Sequence, residues 1–121
     1  MAWEVAFTDE FEAWWDTLTE AQQHALSVRV ALLEQHGPTL KRPVVGEIKG
    51  SKYNNMKELI CDLDGAHFRV LFMFDPLSGA ILLLGGDKTG LWAKWYKQAI
   101  PEADRIYEEY LGELKKDGLI K

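Results

Sequence analysis

The sequence has few of the features that mark secreted, membrane-bound or metal-binding proteins. Its single cysteine, Cys61, excludes an internal disulfide and, without a second cysteine nearby, a thiolate metal site. No apolar run approaches the length of a membrane span, and the N-terminal MAWEVAFTDEFEAWW lacks the basic start and apolar stretch of a signal peptide. No long polar tract suggests disorder. These absences predict a cytoplasmic protein with no membrane partner, folded as a single domain over residues 1–121.

Charge is spread unevenly along the chain. The formal net charge is -5, which argues against a polyanionic partner for the protein as a whole. Residues 1–40 carry seven acids against one base, residues 41–97 nine bases against six acids, and residues 98–121 six acids against four bases. Because electrostatic steering depends on the local field, the basic middle segment still allows the protein to bind an anionic ligand. A solvated face of mixed charge explains the pattern equally well.

Residues 56–88 read as three consecutive β-strands, and the rest of the chain is arranged around them. Two turn signals divide this stretch, Asp64-Gly65 and the DPLSG segment at residues 75–79, which predicts a meander of antiparallel strands. Residues 68–74 and 80–84 are apolar on both faces, so these strands are expected to be central and covered on both sides.

The flanking segments predict helices on either side of this meander. A first strand at residues 3–7 is followed by a helix that Thr8 caps and by a second helix that begins near residues 17–20 and ends at Gly37-Pro38. Residues 39–55 read as a loop with a short strand at 44–48. Residues 91–116 have the pattern of an amphipathic helix broken or kinked near Pro101. The order predicts an α+β domain.

The glycine-rich GGDKTG at residues 85–90 looks at first like a phosphate loop. It lacks the GxxxxGK[ST] spacing, which argues against a nucleoside triphosphate site. We expect these glycines to let the last strand end sharply.

Four stretches in order resemble the phage-derived Gp49-like group of HigB-type toxins within the RelE/ParE superfamily. They are NMKEL at 55–59, FRVLFMFDP at 68–76, GGDKTG at 85–90 and WYKQAIPEAD at 95–104, and the likeness runs from about residue 3 to residue 111. The resemblance implies a small, mainly antiparallel sheet packed against two N-terminal helices, with a C-terminal helix. It also implies the toxin of a type II toxin-antitoxin system, which cuts mRNA at the ribosome with neither metal nor other cofactor. Such a toxin is held in a hetero-oligomer by a helix-turn-helix antitoxin.

Metal-free RNA cleavage needs a base, an acid and cations that stabilise the phosphate. Three cations stand out in the strand region, Lys57, Arg69 and Lys88, and Glu58 is a further candidate for the base. Arg69 is predicted to clamp the phosphate, because its planar fork matches phosphate oxygens; its alternative is an ion pair with Glu58 or Asp62. Lys57 and Lys88 are predicted to act as base or acid, or else to be ordinary surface lysines.

The pairing register decides whether these side chains converge. With Leu63 opposite Ala66, Arg69 falls opposite Ile60. With Phe74 opposite Ala80, it falls opposite Gly85. Lys57 and Lys88 would then lie about three residues along the neighbouring strands, or ~10 Å away, as a track that follows the RNA backbone. A slip of one residue in either turn would reverse which side chains share a face.

Further RNA contacts are predicted from the donor-rich loop and from the start of the last helix. Tyr96, next to Trp95, is expected to stack on a base between two lysines that hold phosphate, although helix packing explains Trp95 equally well. His67 is an alternative base, but a histidine beside a turn is more often a surface or capping residue. The predicted RNA-binding residues are Lys49, Lys52, Asn54, Asn55, Lys94, Tyr96 and Lys97.

Two other functions fit the same fold. One is a ParE-like inhibitor of DNA gyrase, which the basic residues of the strand region disfavour. The other is an interaction domain that has kept the fold without the activity.

Overall fold

The computed structural model describes residues 2–77 and 79–121. In chain order its elements are β1 (Val5–Phe7), α1 (Asp9–Trp15), α2 (Glu20–His36), a 3-10 turn (Gly37–Thr39), β2 (Val45–Glu47), β3 (Lys57–Leu63), β4 (Ala66–Phe74), β5 (Ala80–Asp87) and α3 (Ala93–Lys116). The sheet has the order β1-β5-β4-β3-β2, with β1 parallel to β5 and the other neighbours antiparallel. The predicted α+β architecture is confirmed. No helix in the described ranges is long and apolar enough to cross a bilayer.

The predicted helix boundaries rest on side-chain caps. The Phe11 amide donates to the Thr8 hydroxyl over 3.1 Å at the start of α1. At the start of α2, Thr19 and Gln22 form a reciprocal capping box that satisfies two backbone donors. The helix ends at Gly37, whose φ of 55° suits glycine. Both starts and the stop therefore follow from local chemistry.

The β3–β4 hairpin has the predicted register. Asp64 and Gly65 both have positive φ, 48° and 84°, as a two-residue type I′ connection requires. Leu63 pairs with Ala66, and Arg69 therefore lies opposite Ile60. In the predicted turn at residues 75–79, Ser78 lies outside the described residues, but the flanking pair of Phe74 and Ala80 is confirmed.

The β4–β5 register departs from the prediction by one residue. Leu71 pairs with Leu84 while Phe72 pairs with Leu82, so the strands are irregular between them and Leu83 is the extra residue. Arg69 consequently lies opposite Gly86, and the predicted pairing with Gly85 is wrong.

The two central strands, β4 and β5, are covered on both faces, as predicted. One apolar layer packs against α1 and α2, and its buried members are Phe11, Leu26, Leu33, Val45, Leu59, Cys61, Phe68, Val70, Phe72, Ala80 and Leu82. The other packs against α3, and its buried members are Ile48, Met56, Leu71, Met73, Ile81, Leu83, Trp95, Ala99, Ile100, Ala103, Ile106 and Tyr107. Side chains of β3 and β4 alternate between these layers, so the parity of a residue decides its face.

Helix α3 runs through Pro101 without a break, so of the two predicted alternatives the break is wrong and the kink stays a prediction. An interior proline costs about 3 kcal/mol. Burial of a large apolar side chain contributes roughly 1.5–3 kcal/mol, and Trp95, Ile100 and Ile106 are all buried on one face of this helix. Packing on the sheet therefore outweighs the lost hydrogen bond.

Candidate functional site

A buried ion pair lies on the face of the sheet that α3 covers. Because Arg69 is opposite Ile60, its diagonal neighbours on β3 are Glu58 and Asp62. Its Nε lies 3.5 Å from Glu58 Oε1, and its Nη1 lies 2.8 Å from Asp62 Oδ1. Arg69 is 7% exposed and Glu58 5%. The ion-pair alternative for Arg69 is thus confirmed, and a direct clamp on phosphate stays a prediction.

The guanidinium remains charged in this setting. Burial opposes the charge, but the hydrogen bond and negative charge of Asp62 raise the pKa of Arg69 above its ordinary value. Nη1 also donates to the Phe68 carbonyl over 2.8 Å. Glu58 therefore lies against a permanent cation that several contacts fix in place.

Tyr96, in the first turns of α3, contacts the ion pair through its hydroxyl group. Its hydroxyl donates to Glu58 Oε1 over 2.6 Å. Burial and this hydrogen bond raise the pKa of Tyr96 to about 12, so the phenol keeps its proton at neutral pH. The Tyr96 residue as a whole is half-buried, whereas the carboxylate that its hydroxyl contacts is buried.

Lys88 follows the end of β5 and lies beside Tyr96. Its Nζ is 5.3 Å from the centre of the Tyr96 ring and 5.8 Å from that of Trp92, within cation–π range of both. Among residues 2–77 and 79–121, no carboxylate lies within 4.0 Å of it. Glu58, Arg69, Lys88 and Tyr96 form what we call the polar cluster, in which Tyr96 contacts both the buried carboxylate of Glu58 and the half-exposed ammonium of Lys88.

The two glycines of β5 make room for tryptophans. A Cβ on Gly85 would lie 2.2 Å from Trp14 Cε3, and one on Gly86 would lie 2.6 Å from Trp95 Nε1. The strand continues to Asp87, so the expectation that these glycines end it is wrong. Close packing of an aromatic ring on each face of the sheet, and not a turn, requires glycine here.

Lys57 is not part of the polar cluster, and the predicted track is wrong in this respect. Lys57 is three residues from Ile60, the partner of Arg69, and an odd spacing on a strand puts two side chains on opposite faces. Its Nζ lies 3.3 Å from Glu47 Oε1, on the face of α1 and α2. Strand alternation thus separates Lys57 from Arg69 by the thickness of the sheet.

The predicted RNA-binding residues divide into two groups. Lys49, Tyr96 and Lys97 line one open groove of about 360 Å³ together with Gly50, Ile100 and Pro101. Lys94 is exposed in the first turn of α3, and Asn54 and Asn55 are exposed in the loop before β3.

Lys52, in the donor-rich loop, lies away from this groove, and its predicted RNA contact stays a prediction. Its Nζ pairs with Glu108 over 3.1 Å, and its amide donates to the buried Asp104. Glu108 lies twelve residues beyond Tyr96, or ~18 Å along the helix axis. Lys52 thus fastens the loop to the middle of α3.

Trp92 is the functional candidate that the sequence reasoning missed. It is 49% exposed and has a positive φ of 48° directly before α3. The ring of His67 meets its indole edge-on, with ring centres 5.0 Å apart. The KTGLW segment at residues 88–92 has no helical or strand periodicity. The glycine-rich GGDKTG at residues 85–90 was therefore the only sequence signal for this loop, and it does not single out Trp92. Among the described residues, no group of three or more His, Cys, Asp or Glu is placed to hold a metal ion.

Comparison with known proteins shows the family to which the chain belongs. The family model described as "Phage derived protein Gp49-like" matches residues 13–108. The chain belongs to this family. A protein named toxin HigB3 of Mycobacterium tuberculosis is 44% identical over 107 residues, covering 88% of this chain and 92% of its own length. A protein of the same organism named toxin HigB2 is 35% identical over 111 residues, covering 91% of this chain and 55% of its own length.

The fold has a solved counterpart. A double mutant of the Escherichia coli toxin RelE in the free state matches with a TM-score of 0.59 and 13% identity, covering 84% of this chain and 97% of that one. The family match and the two relatives confirm the predicted likeness to the Gp49-like group of HigB-type toxins, and the solved structure shows that the fold is RelE-like.

Proposed function

We propose that this protein is the toxin of a type II toxin-antitoxin system and that it cleaves mRNA on the ribosome in the cytoplasm. Its partners are then the ribosome, mRNA and a helix-turn-helix antitoxin, with which it forms a hetero-oligomer. The observation that carries the proposal is the polar cluster. The carboxylate of Glu58 is buried between Arg69 and Tyr96, and the Tyr96 ring also contacts the half-exposed Lys88, in a chain of the Gp49-like family whose relatives are named HigB toxins.

The cluster contains the groups that metal-free cleavage needs. The 2′-oxygen attacks the adjacent phosphorus, the bond from phosphorus to the 5′-oxygen breaks, and the products are a 2′,3′-cyclic phosphate and a 5′-hydroxyl. The Tyr96 oxygen takes the 2′-proton as Tyr96 passes its own proton to Glu58, over the 2.6 Å hydrogen bond between them. The Lys88 ammonium stabilises the phosphate charge and gives a proton to the 5′-oxygen.

In this scheme Arg69 acts on Glu58. A fixed cation 3.5 Å from the carboxylate holds Glu58 in place against the Tyr96 hydroxyl, where it can accept the proton of Tyr96. Lys49 and Lys97, beside Tyr96, are assigned to phosphates further along the RNA.

One observation favours the non-catalytic alternative. Arg69 and Glu58 neutralise each other and are nearly buried, which is also how a purely structural ion pair looks. Substitution of Lys88 distinguishes the catalytic from the non-catalytic alternative. Lys88 has no ion-pair partner among the described carboxylates, so its loss should matter only if Lys88 takes part in the reaction.

The test compares Lys88→Gln with Lys57→Gln in cleavage of mRNA on purified ribosomes. Loss of a group that stabilises the transition state costs roughly 10²–10³-fold in rate, so we expect Lys88→Gln to lose that much with unchanged thermal stability. Lys57→Gln, on the opposite face, should cleave like the wild type. Equal activity of Lys88→Gln and wild type would show that Lys88 takes no part in the reaction. Loss of activity in Lys57→Gln would show that Lys57 does take part, although it lies on the opposite face of the sheet.

The same proteins, induced in cells, separate RNA cleavage from gyrase inhibition. Growth arrest with shortened transcripts in primer extension is the expected result. Intact transcripts together with a DNA-damage response would favour the gyrase inhibitor. A folded wild type that causes no arrest and leaves transcripts intact would favour the interaction domain.

A further inference from the structure

Trp92 is a large aromatic residue to which the proposed reaction gives no role. It is 49% exposed, so core packing does not account for it. Its φ of 48° is unfavourable for a bulky side chain, and the other non-glycine residue with positive φ in the described part of the chain is Asp64, in a tight turn. Strained positions of this kind cluster where proteins contact ligands.

The loop that carries Trp92 is held by many hydrogen bonds. The Asp87 carboxylate accepts from the amide and hydroxyl of Thr89 and from the amide of His67. The amides of Leu91 and Trp92 both donate to the Lys88 carbonyl over 2.9 Å. The indole is therefore presented to solvent from a fixed backbone, which lowers the entropy lost when a ligand binds.

The surroundings of Trp92 combine an aromatic surface with positive charge. His67 contacts the indole edge-on, and the Lys88 ammonium lies 5.8 Å from the Trp92 ring and 5.3 Å from the Tyr96 ring. A phosphate bound by Lys88 would therefore lie close to two aromatic rings. Beyond Tyr96, Lys49 and Lys97 continue the positive charge along the groove.

Stacked bases and bound phosphates are the contacts that single-stranded nucleic acid makes with proteins. A base inside a duplex has both faces covered by its neighbours, so an exposed indole accepts only an unstacked base. We propose that Trp92 stacks on an unpaired nucleobase of single-stranded RNA, next to the phosphate that Lys88 holds. This inference rests on the proposed function, because it takes the polar cluster as the place where the RNA backbone is cut.

The test measures binding of a fluorescent single-stranded RNA and ribosome-dependent cleavage for purified wild type, Trp92→Gly and Trp92→Phe. Glycine removes the ring and suits the positive φ, so this variant should fold at least as stably as the wild type. Loss of one stacked base weakens binding by roughly 5- to 150-fold, whereas Trp92→Phe should keep most of the affinity. Phe7→Ala is the matched control, because Phe7 is an aromatic residue with 55% exposure on β1 at the edge of the sheet.

Each outcome decides a separate point. Weakened binding in Trp92→Gly alone, with a raised KM for cleavage, supports the stacking. Wild-type affinity and KM in Trp92→Gly would refute it while leaving the cleavage function intact. Weakened binding by Trp92→Gly, with no cleavage by the wild type, would support the stacking and refute the endonuclease. A folded wild type that neither binds nor cleaves RNA would refute both.

Discussion

The ion pair of Arg69 with Glu58 is assigned two roles, one in the stability of the fold and one in the cleavage reaction. Substitutions of Arg69 and Glu58 can separate these roles. Glu58 is 5% exposed in the wild type, and Arg69→Ala leaves its carboxylate with the Tyr96 hydroxyl at 2.6 Å and the exposed Arg42 at 4.0 Å as remaining partners. Breaking a buried ion pair costs roughly 3–5 kcal/mol. Because Tyr96 still donates to Glu58, we expect the lower end, about 3 kcal/mol.

The reverse substitution should cost less. Glu58→Gln leaves Arg69 with Asp62 at 2.8 Å, so the guanidinium keeps a charged partner, and we expect a loss of about 1–2 kcal/mol. The double substitution Glu58→Leu with Arg69→Met removes both charges and keeps apolar volume. Such replacements are often neutral, so the double variant should lie within about 1 kcal/mol of the wild type and be more stable than Arg69→Ala.

The assay is equilibrium unfolding in urea followed by circular dichroism, which gives the free energy of unfolding for each variant. An Arg69→Ala variant within about 1 kcal/mol of the wild type, or a double variant less stable than Arg69→Ala, would refute the buried pair. The double variant also tests the reaction, because it is folded but has lost the carboxylate. If it still cleaved mRNA, neither Glu58 nor Arg69 would belong to the active site.

Two further predictions concern residues around this pair. The pKa of Tyr96 is raised to about 12 in the folded protein. The stability advantage of wild type over Tyr96→Phe should therefore be full below pH 10, where the unfolded phenol is still protonated, and should decline between pH 10 and pH 12. An advantage that stays constant up to pH 12 would contradict this. Gly86→Ala should cost about 1–3 kcal/mol, because its Cβ would lie 2.6 Å from Trp95 Nε1, whereas Gly112→Ala, with open space around it in α3, should gain about 0.5–1 kcal/mol. Thermal unfolding that moves in the same direction for both glycine variants would show that the contact with Trp95 is not tight.

The parts of the fold that could be predicted are those that short-range chemistry determines. Thr8 and Thr19 cap helices through their own hydroxyls, and Asp64-Gly65 fixes a two-residue turn. That turn sets the whole β3–β4 register, including the pairing of Arg69 with Ile60. The same register predicts that Lys57 and Arg69 lie on opposite faces of the sheet, since Lys57 is three residues from Ile60, the partner of Arg69.

The parts that could not be predicted depend on contacts between distant segments. The irregularity between Leu71 and Phe72 has no turn residue to signal it, yet it moves Gly86 opposite Arg69. Gly85 and Gly86 accommodate Trp14 and Trp95, which come from separate helices. The position of Trp92 beside Lys88 likewise depends on how the β5–α3 loop packs on His67.

The placement of charge shows how an acidic protein can present a positive surface. Several of its basic residues are neutralised locally: Lys52 by Glu108, Lys57 by Glu47 and Arg105 by Glu102 and Glu109. In the ranges that the structure describes, the lysines near Tyr96 have no carboxylate within 4.0 Å; these are Lys49, Lys88, Lys94 and Lys97. These four lysines therefore form a group of positive charges, unpaired within those ranges, around the start of α3. Because the local field governs the approach of an anion, a net charge of -5 is compatible with an anionic ligand at this edge of the protein.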